Sequence, residues 1–85
     1  RDAVGDAADV MFDFHGRPGT VAAARALIDA CRGARPLFVE EPLPPEDVEG
    51  LAVLARDGAV PLAAGERLIG RREAEPLLSR RLVSV

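Results

Sequence analysis

The stretch LFVEEPLPP, residues 37–45, runs three apolar residues into two adjacent carboxylates, Glu40 and Glu41, and then into proline. So short an apolar run, closed by turn-forming residues, reads as a buried strand. Two acids at its mouth have two explanations. They are solvated loop residues, or something at that mouth requires negative oxygen ligands.

The same kind of run occurs four times: DVMFDF (9–14), PLFVE (36–40), VPLAAG (60–65) and LVSV (82–85). All four are nearly continuous in apolar character, the pattern of parallel strands covered on both faces. Helical segments separate them. TVAAARALIDACR (20–32) sets Val21, Ala24, Leu27, Ile28 and Cys31 on one stripe, with Thr20 as N-cap and Gly33 as the stop. PEDVEGLAVLARDG (45–58) opens on proline and acids and closes on glycine. RREAEPLLSR (71–80) is a third helix, in which Pro76 must sit in the first turn or produce a kink.

This alternation implies right-handed βαβ units and a parallel sheet, an α/β fold. No GxGxxG follows any strand, so a dinucleotide site has no support. Two architectures satisfy this pattern, a flavodoxin-like or Rossmann sheet and a partial (β/α)8 TIM barrel, the second normally needing about 250 residues. The chain has 85 residues, begins at Arg1 and stops inside an apolar run, and is expected to be a piece of a longer protein. Alone it would leave apolar strand edges open to pairing with other chains.

Bulk properties narrow the function. The net charge is -3, and the eleven basic residues, all arginine, are scattered, which argues against a nucleic-acid surface. A single cysteine, Cys31, excludes an internal disulfide and a multi-thiolate metal site, and a cytoplasmic location is expected. No stretch approaches the roughly 20 apolar residues of a membrane span. Tyrosine and tryptophan are absent, so stacking on bases or sugar rings is not the main mode of binding.

The acids recur at the interval of one β/α unit. Asp13 closes the first strand run, Glu40 the second, and Glu66 follows the third, at spacings of 27 and 26 residues. Equivalent positions on neighbouring parallel strands lie about 4.8 Å apart, and strand C-termini ring the active face of a barrel. Three carboxylates converging there would repel unless a cation sat between them, and Mg²⁺ suits an all-oxygen set. A single acid after a strand is more often a solvated loop residue, and spacing alone does not decide between the two. His15, the only histidine, lies two residues past Asp13, on the same side of an extended chain. It is a candidate acid, base or ligand, or a loop histidine bonded to a carbonyl.

DFHGR (13–17), LFVEEPLPPE (37–46) and PLAAGER (61–67), in this order and spacing, resemble the acid-sugar dehydratase branch of the enolase superfamily, within the mandelate racemase subgroup. Galactonate-type dehydratases are the nearest match, and the resemblance covers barrel strands 3 to 6. It implies that residues 1–85 are a fragment of one enolase-like C-terminal barrel domain, without the N-terminal capping domain or the remaining barrel. It places the Mg²⁺ ligands on Asp13, Glu40 and Glu66, and the general acid for the departing hydroxyl on His15. The implied reaction removes the proton alpha to a sugar carboxylate and eliminates water through an enediolate, giving a 2-keto-3-deoxy acid. The family's base comes from later strands, so the fragment alone is expected to be inactive. The implied partner is a small-molecule sugar acid, and the full-length protein is expected to be a homo-oligomer. Alternatives are a mannonate-type dehydratase, a racemase or epimerase, or a non-catalytic βα metal-binding fragment. Glu41 is expected behind the site, paired with an arginine, or simply exposed at the surface, and Arg17 and Arg67 either meet a substrate carboxylate or pair with nearby acids.

Overall fold

The structure, a computed structural model, describes residues 1–85. Three strands, β1 (Phe12–Asp13), β2 (Val39–Glu40) and β3 (Leu62–Ala63), form a parallel sheet in the order β1-β2-β3. Each is followed by a helix: α1 (Val21–Cys31), α2 (Val48–Asp57) and α3 (Arg71–Ser79). The ladders extend past these short strands, through Leu37 N–H to Val10 and Phe14 N–H to Glu40 on one side and Glu41 N–H to Ala63 on the other. The fourth apolar run is not a strand, but Ser84 N–H donates to the Leu62 carbonyl at 2.8 Å and Ala64 N–H to Val85 at 3.2 Å. Residues 82–85 thus lie along β3 in the place a fourth strand would take.

Register explains the two faces of the sheet. Phe12, Val39 and Leu62 are aligned partners, as are Asp13, Glu40 and Ala63. Val39 and Leu62 are buried in a core with Ala24 and Ile28 of α1, Leu51 and Leu54 of α2, and Leu77 of α3, and Phe12 packs against it. All three helices therefore cover one face. Because side chains alternate along a strand, Asp13 and Glu40 project to the other. Only one face is covered within these residues, against the expectation of two.

The helix ends follow local chemistry, with some departures. Thr20 caps α1 by accepting from Ala23 N–H at 3.1 Å, as expected. Gly33 does not stop it: the chain tightens into a 3-10 turn over Arg32–Ala34, and the left-handed residue that ends the turn is Arg35. Leu27 is 45% exposed, so the buried stripe of α1 narrows to Ala24 and Ile28. α2 begins after Pro45, at Val48, because Asp47 supplies the cap by accepting from Gly50 N–H at 2.9 Å. Gly58, at φ 62°, closes it in the left-handed region where glycine carries no Cβ penalty. Pro76 falls in the second turn of α3, beyond the first turn where its missing N–H would cost nothing.

Candidate metal centre

Asp13 and Glu40 end adjacent strands and are register partners, so the sheet itself holds two carboxylates side by side. Glu66 arrives by another route. Glu40's partner on β3 is Ala63, and Glu66 lies three residues further on, in the turn beyond Gly65. The expectation of three equivalent strand-end positions therefore holds for two acids only. Gly65 is not demanded by close packing, since a Cβ there would meet nothing within 4 Å. Its φ of 150°, which L side chains rarely adopt, is what the turn requires.

The turn brings Glu66 back to the mouth. Ligand-capable atoms of Asp13, His15 and Glu66 all lie within 4.8 Å of one another. His15 Nδ1 is 3.7 Å from Asp13 Oδ2 and 3.3 Å from Glu66 Oε2. Glu40 is outside this close group but within its field. Its half-buried carboxyl is held above the ordinary glutamate range, first by desolvation and then by the charges of Asp13, Glu66 and Glu41. Because the folded-state value is raised, the contribution of Glu40 to stability is present below its unfolded pKa and lost as pH rises through the folded one. Ionised, these acids repel, and a cation among them would relieve that repulsion. The donor set, carboxylate oxygens with one imidazole, fits a hard divalent ion such as Mg²⁺.

His15 does not reach Asp13 by continuing the strand. Its backbone is in the left-handed region, φ 54°, an uncommon state for a residue with a Cβ. Neighbouring groups hold it there. His15 N–H donates to Asp13 Oδ1 at 2.7 Å, and Gly16 N–H donates to the Glu41 carbonyl at 2.8 Å. The His15 carbonyl accepts from the Arg67 guanidinium. The short-range turn, not strand alternation, places the imidazole beside the acids.

Glu41 turns away from Glu40, to the helix-covered side, at φ 42°. Its side chain is 2% exposed and lies 3.2 Å from Arg67 Nε, so Arg67 pairs with an acid. Both Glu41 carboxylate oxygens lack a well-aligned hydrogen bond, which makes the contact with Arg67 a Coulombic one. Arg17 is exposed at the end of the same loop. Sequence reasoning missed Gly16: at φ 64°, a Cβ there would sit 3.2 Å from Arg67 Nη1 and 3.4 Å from Pro44 Cα. The signal was present in a glycine directly after the histidine. A concavity of about 220 Å³ lies at the opposite end of the strands among Arg25, Ile28, Leu54, Asp57 and Leu62. It has no connection to the carboxylates.

A parallel βα sheet with acids and a histidine at its C-terminal mouth is the arrangement of a partial βα barrel. Residues 1–85 match the family described as enolase C-terminal domain-like, and the chain belongs to that family. It is similar to D-galactonate dehydratase of Xanthomonas euvesicatoria pv. vesicatoria, 44% identical over 78 residues, covering 92% of this chain and 20% of that protein. D-galactonate dehydratase of Variovorax paradoxus is 46% identical over 80 residues, with the same coverage. The solved mandelate racemase/muconate lactonizing enzyme-like protein from a Roseovarius species superposes with a TM-score of 0.90 at 42% identity, over 99% of this chain and 21% of that one. The chain thus spans about 20% of the length of the curated relatives it matches. The fold is that of a partial enolase-superfamily TIM barrel. No helix is long and apolar enough to cross a membrane.

Proposed function

We propose that this chain is the metal-ligand and acid-bearing segment of a longer, Mg²⁺-dependent acid-sugar dehydratase acting on a galactonate-type substrate. The observation that carries the reading is the placement of His15 Nδ1 between the carboxylates of Asp13 and Glu66, with Glu40 beside them, in a chain whose similar proteins are D-galactonate dehydratases. Asp13, Glu40 and Glu66 would hold the ion. Bound there, Mg²⁺ supplies a Lewis acid for the charge that builds on the substrate carboxylate when its alpha proton is lost.

The proton for the leaving group comes from the chain itself. His15 is exposed toward the strand mouth and carries one ring nitrogen against the acids. In the imidazolium form it donates a proton to the departing β-hydroxyl, which leaves as water, and the resulting enol becomes the 2-keto-3-deoxy acid. The base that takes the alpha proton, the rest of the barrel and a capping domain belong to the remainder of the protein, as do a homo-oligomeric assembly and a cytoplasmic location.

In the full-length protein, His15→Asn is expected to lose dehydration while exchange of the alpha proton with solvent survives in part. Untouched dehydration would remove His15 from the acid role. Calorimetric titration of Mg²⁺ is expected to lose its signal in Asp13→Ala, Glu40→Ala and Glu66→Ala, and binding unchanged in all three sinks the metal assignment. A racemase or epimerase is the second reading, favoured by the mandelate racemase-like solved relative. A product that keeps its β-hydroxyl would establish it.

A further inference from the structure

Glu41, buried, and Arg67, partly exposed, occupy peculiar positions. Arg67 follows Glu66 directly, and Glu41 follows Glu40 directly. Each is the chain neighbour of a candidate ligand, and the two meet across loops from β2 and β3. A carboxylate with 2% exposure is costly to bury without a countercharge, and here the countercharge is 3.2 Å away. The same guanidinium also donates to the carbonyl of His15, 52 residues distant in sequence. Gly16 leaves room for it, because a Cβ there would press on Nη1 at 3.2 Å and Nη2 at 3.4 Å.

His15 is therefore gripped through both of its flanking peptide groups. Its N–H fixes Asp13 Oδ1 at 2.7 Å, and its carbonyl is fixed by Arg67. A left-handed backbone at a residue with a side chain persists only where the surroundings over-determine it. Releasing the carbonyl leaves the Gly16 N–H bond to the Glu41 carbonyl, at 2.8 Å, as the remaining hold on that peptide group, and its rotation shifts the imidazole and, through the His15 N–H, the Asp13 carboxylate.

We propose that Glu41 and Arg67 are a positioning pair: Glu41 orients the Arg67 guanidinium, which locks the His15 peptide and through it the orientation of Asp13 and His15. The proposal rests on the reading that Asp13, Glu40 and Glu66 hold a divalent ion. It excludes Arg67 as the residue that meets the substrate carboxylate. A guanidinium is a rigid fork that serves an acid and a carbonyl together, whereas an ammonium is a single point. Arg67→Lys should keep the charge pair and lose the lock.

The test uses the full-length protein, with Mg²⁺ alone as the calorimetric ligand. Arg67→Lys, Arg67→Met, Glu41→Gln and the double variant Arg67→Met/Glu41→Gln are compared with wild type, alongside thermal melting without metal. Mg²⁺ affinity is expected to fall about 10- to 100-fold in each single variant, the range for groups that orient ligands. The double variant should fall no further than Arg67→Met, since both act through one lock. With D-galactonate as probe substrate, kcat is expected to fall more than KM rises. A folded Arg67→Lys with wild-type Mg²⁺ affinity would overturn the proposal. So would a tenfold rise in KM confined to the Arg67 variants, which would make Arg67 a substrate contact. Asp13→Asn separates the two readings. If it abolishes Mg²⁺ binding while the pair variants do not weaken it, only the positioning pair fails; if it changes nothing, the metal reading fails and takes the pair with it.

Discussion

Gly16 shows how one missing methyl group can matter at the mouth of a sheet. Gly16→Ala adds a Cβ in the left-handed region and within 3.2 Å of a guanidinium nitrogen. The backbone strain alone is about 1–2 kcal/mol, and the melting temperature of the full-length protein should fall accordingly. Gly50 gives a less intuitive case. Alanine normally favours a helix interior over glycine, but a Cβ at Gly50 would run into the Asp47 carboxylate and approach Leu43 Cδ1 to 2.8 Å. Gly50→Ala is therefore expected to destabilise, and a melting temperature above wild type would contradict this packing. The recurrence of the acids was legible in the sequence, because one acid per β/α unit is a visible interval. Their exact grouping was not. Whether Glu66 or Glu40 sits closest to His15 depends on the turn at Gly65 and the left-handed backbone of His15, and neither leaves a mark on hydrophobic periodicity.

The helices are fixed by their caps and tied to one another by exposed ion pairs. Thr20→Ala removes the acceptor for Ala23 N–H and should cost about 1 kcal/mol, measurable by denaturant unfolding. Arg25 of α1 holds Asp57 at the end of α2 through two bonds of 2.7 and 2.9 Å, and that pairing lowers the Asp57 pKa below the usual aspartate range. A lowered folded-state value contributes stability above the unfolded pKa and loses it as pH falls through the folded one. The melting difference between wild type and Asp57→Asn, present at pH 7, should therefore shrink as pH drops below about 4. Helix starts and the Gly58 stop could be read because they depend on residues adjacent in sequence. The end of α1 could not be read from Gly33, because the reversal was taken up by Arg35, whose guanidinium pairs with Asp6 near the chain start.

At the scale of the molecule, the parallel order β1-β2-β3 followed from strand and helix alternation, while the one-sided covering of the sheet did not. A continuous apolar run carries no record of what covers its second face. Here that face and the sheet margins leave Met11, Leu37 and Val85 between 49% and 63% exposed. An 85-residue chain with such margins should self-associate when isolated. Sedimentation velocity is expected to show species heavier than a monomer at micromolar concentration, with Met11→Lys shifting the distribution toward monomer. The knot around Arg67 has a different bearing, on inheritance and redesign. Barrel enzymes are commonly treated as rigid frames whose loops can be exchanged one at a time to alter what they accept. Here the loops after β1, β2 and β3 share a single guanidinium, so a loop transplanted alone would arrive without its partners. Changes at residues 15–16, 41 and 67 should be tolerated as a set and rejected singly, which makes the trio, not the individual loop, the unit that can be swapped between related scaffolds.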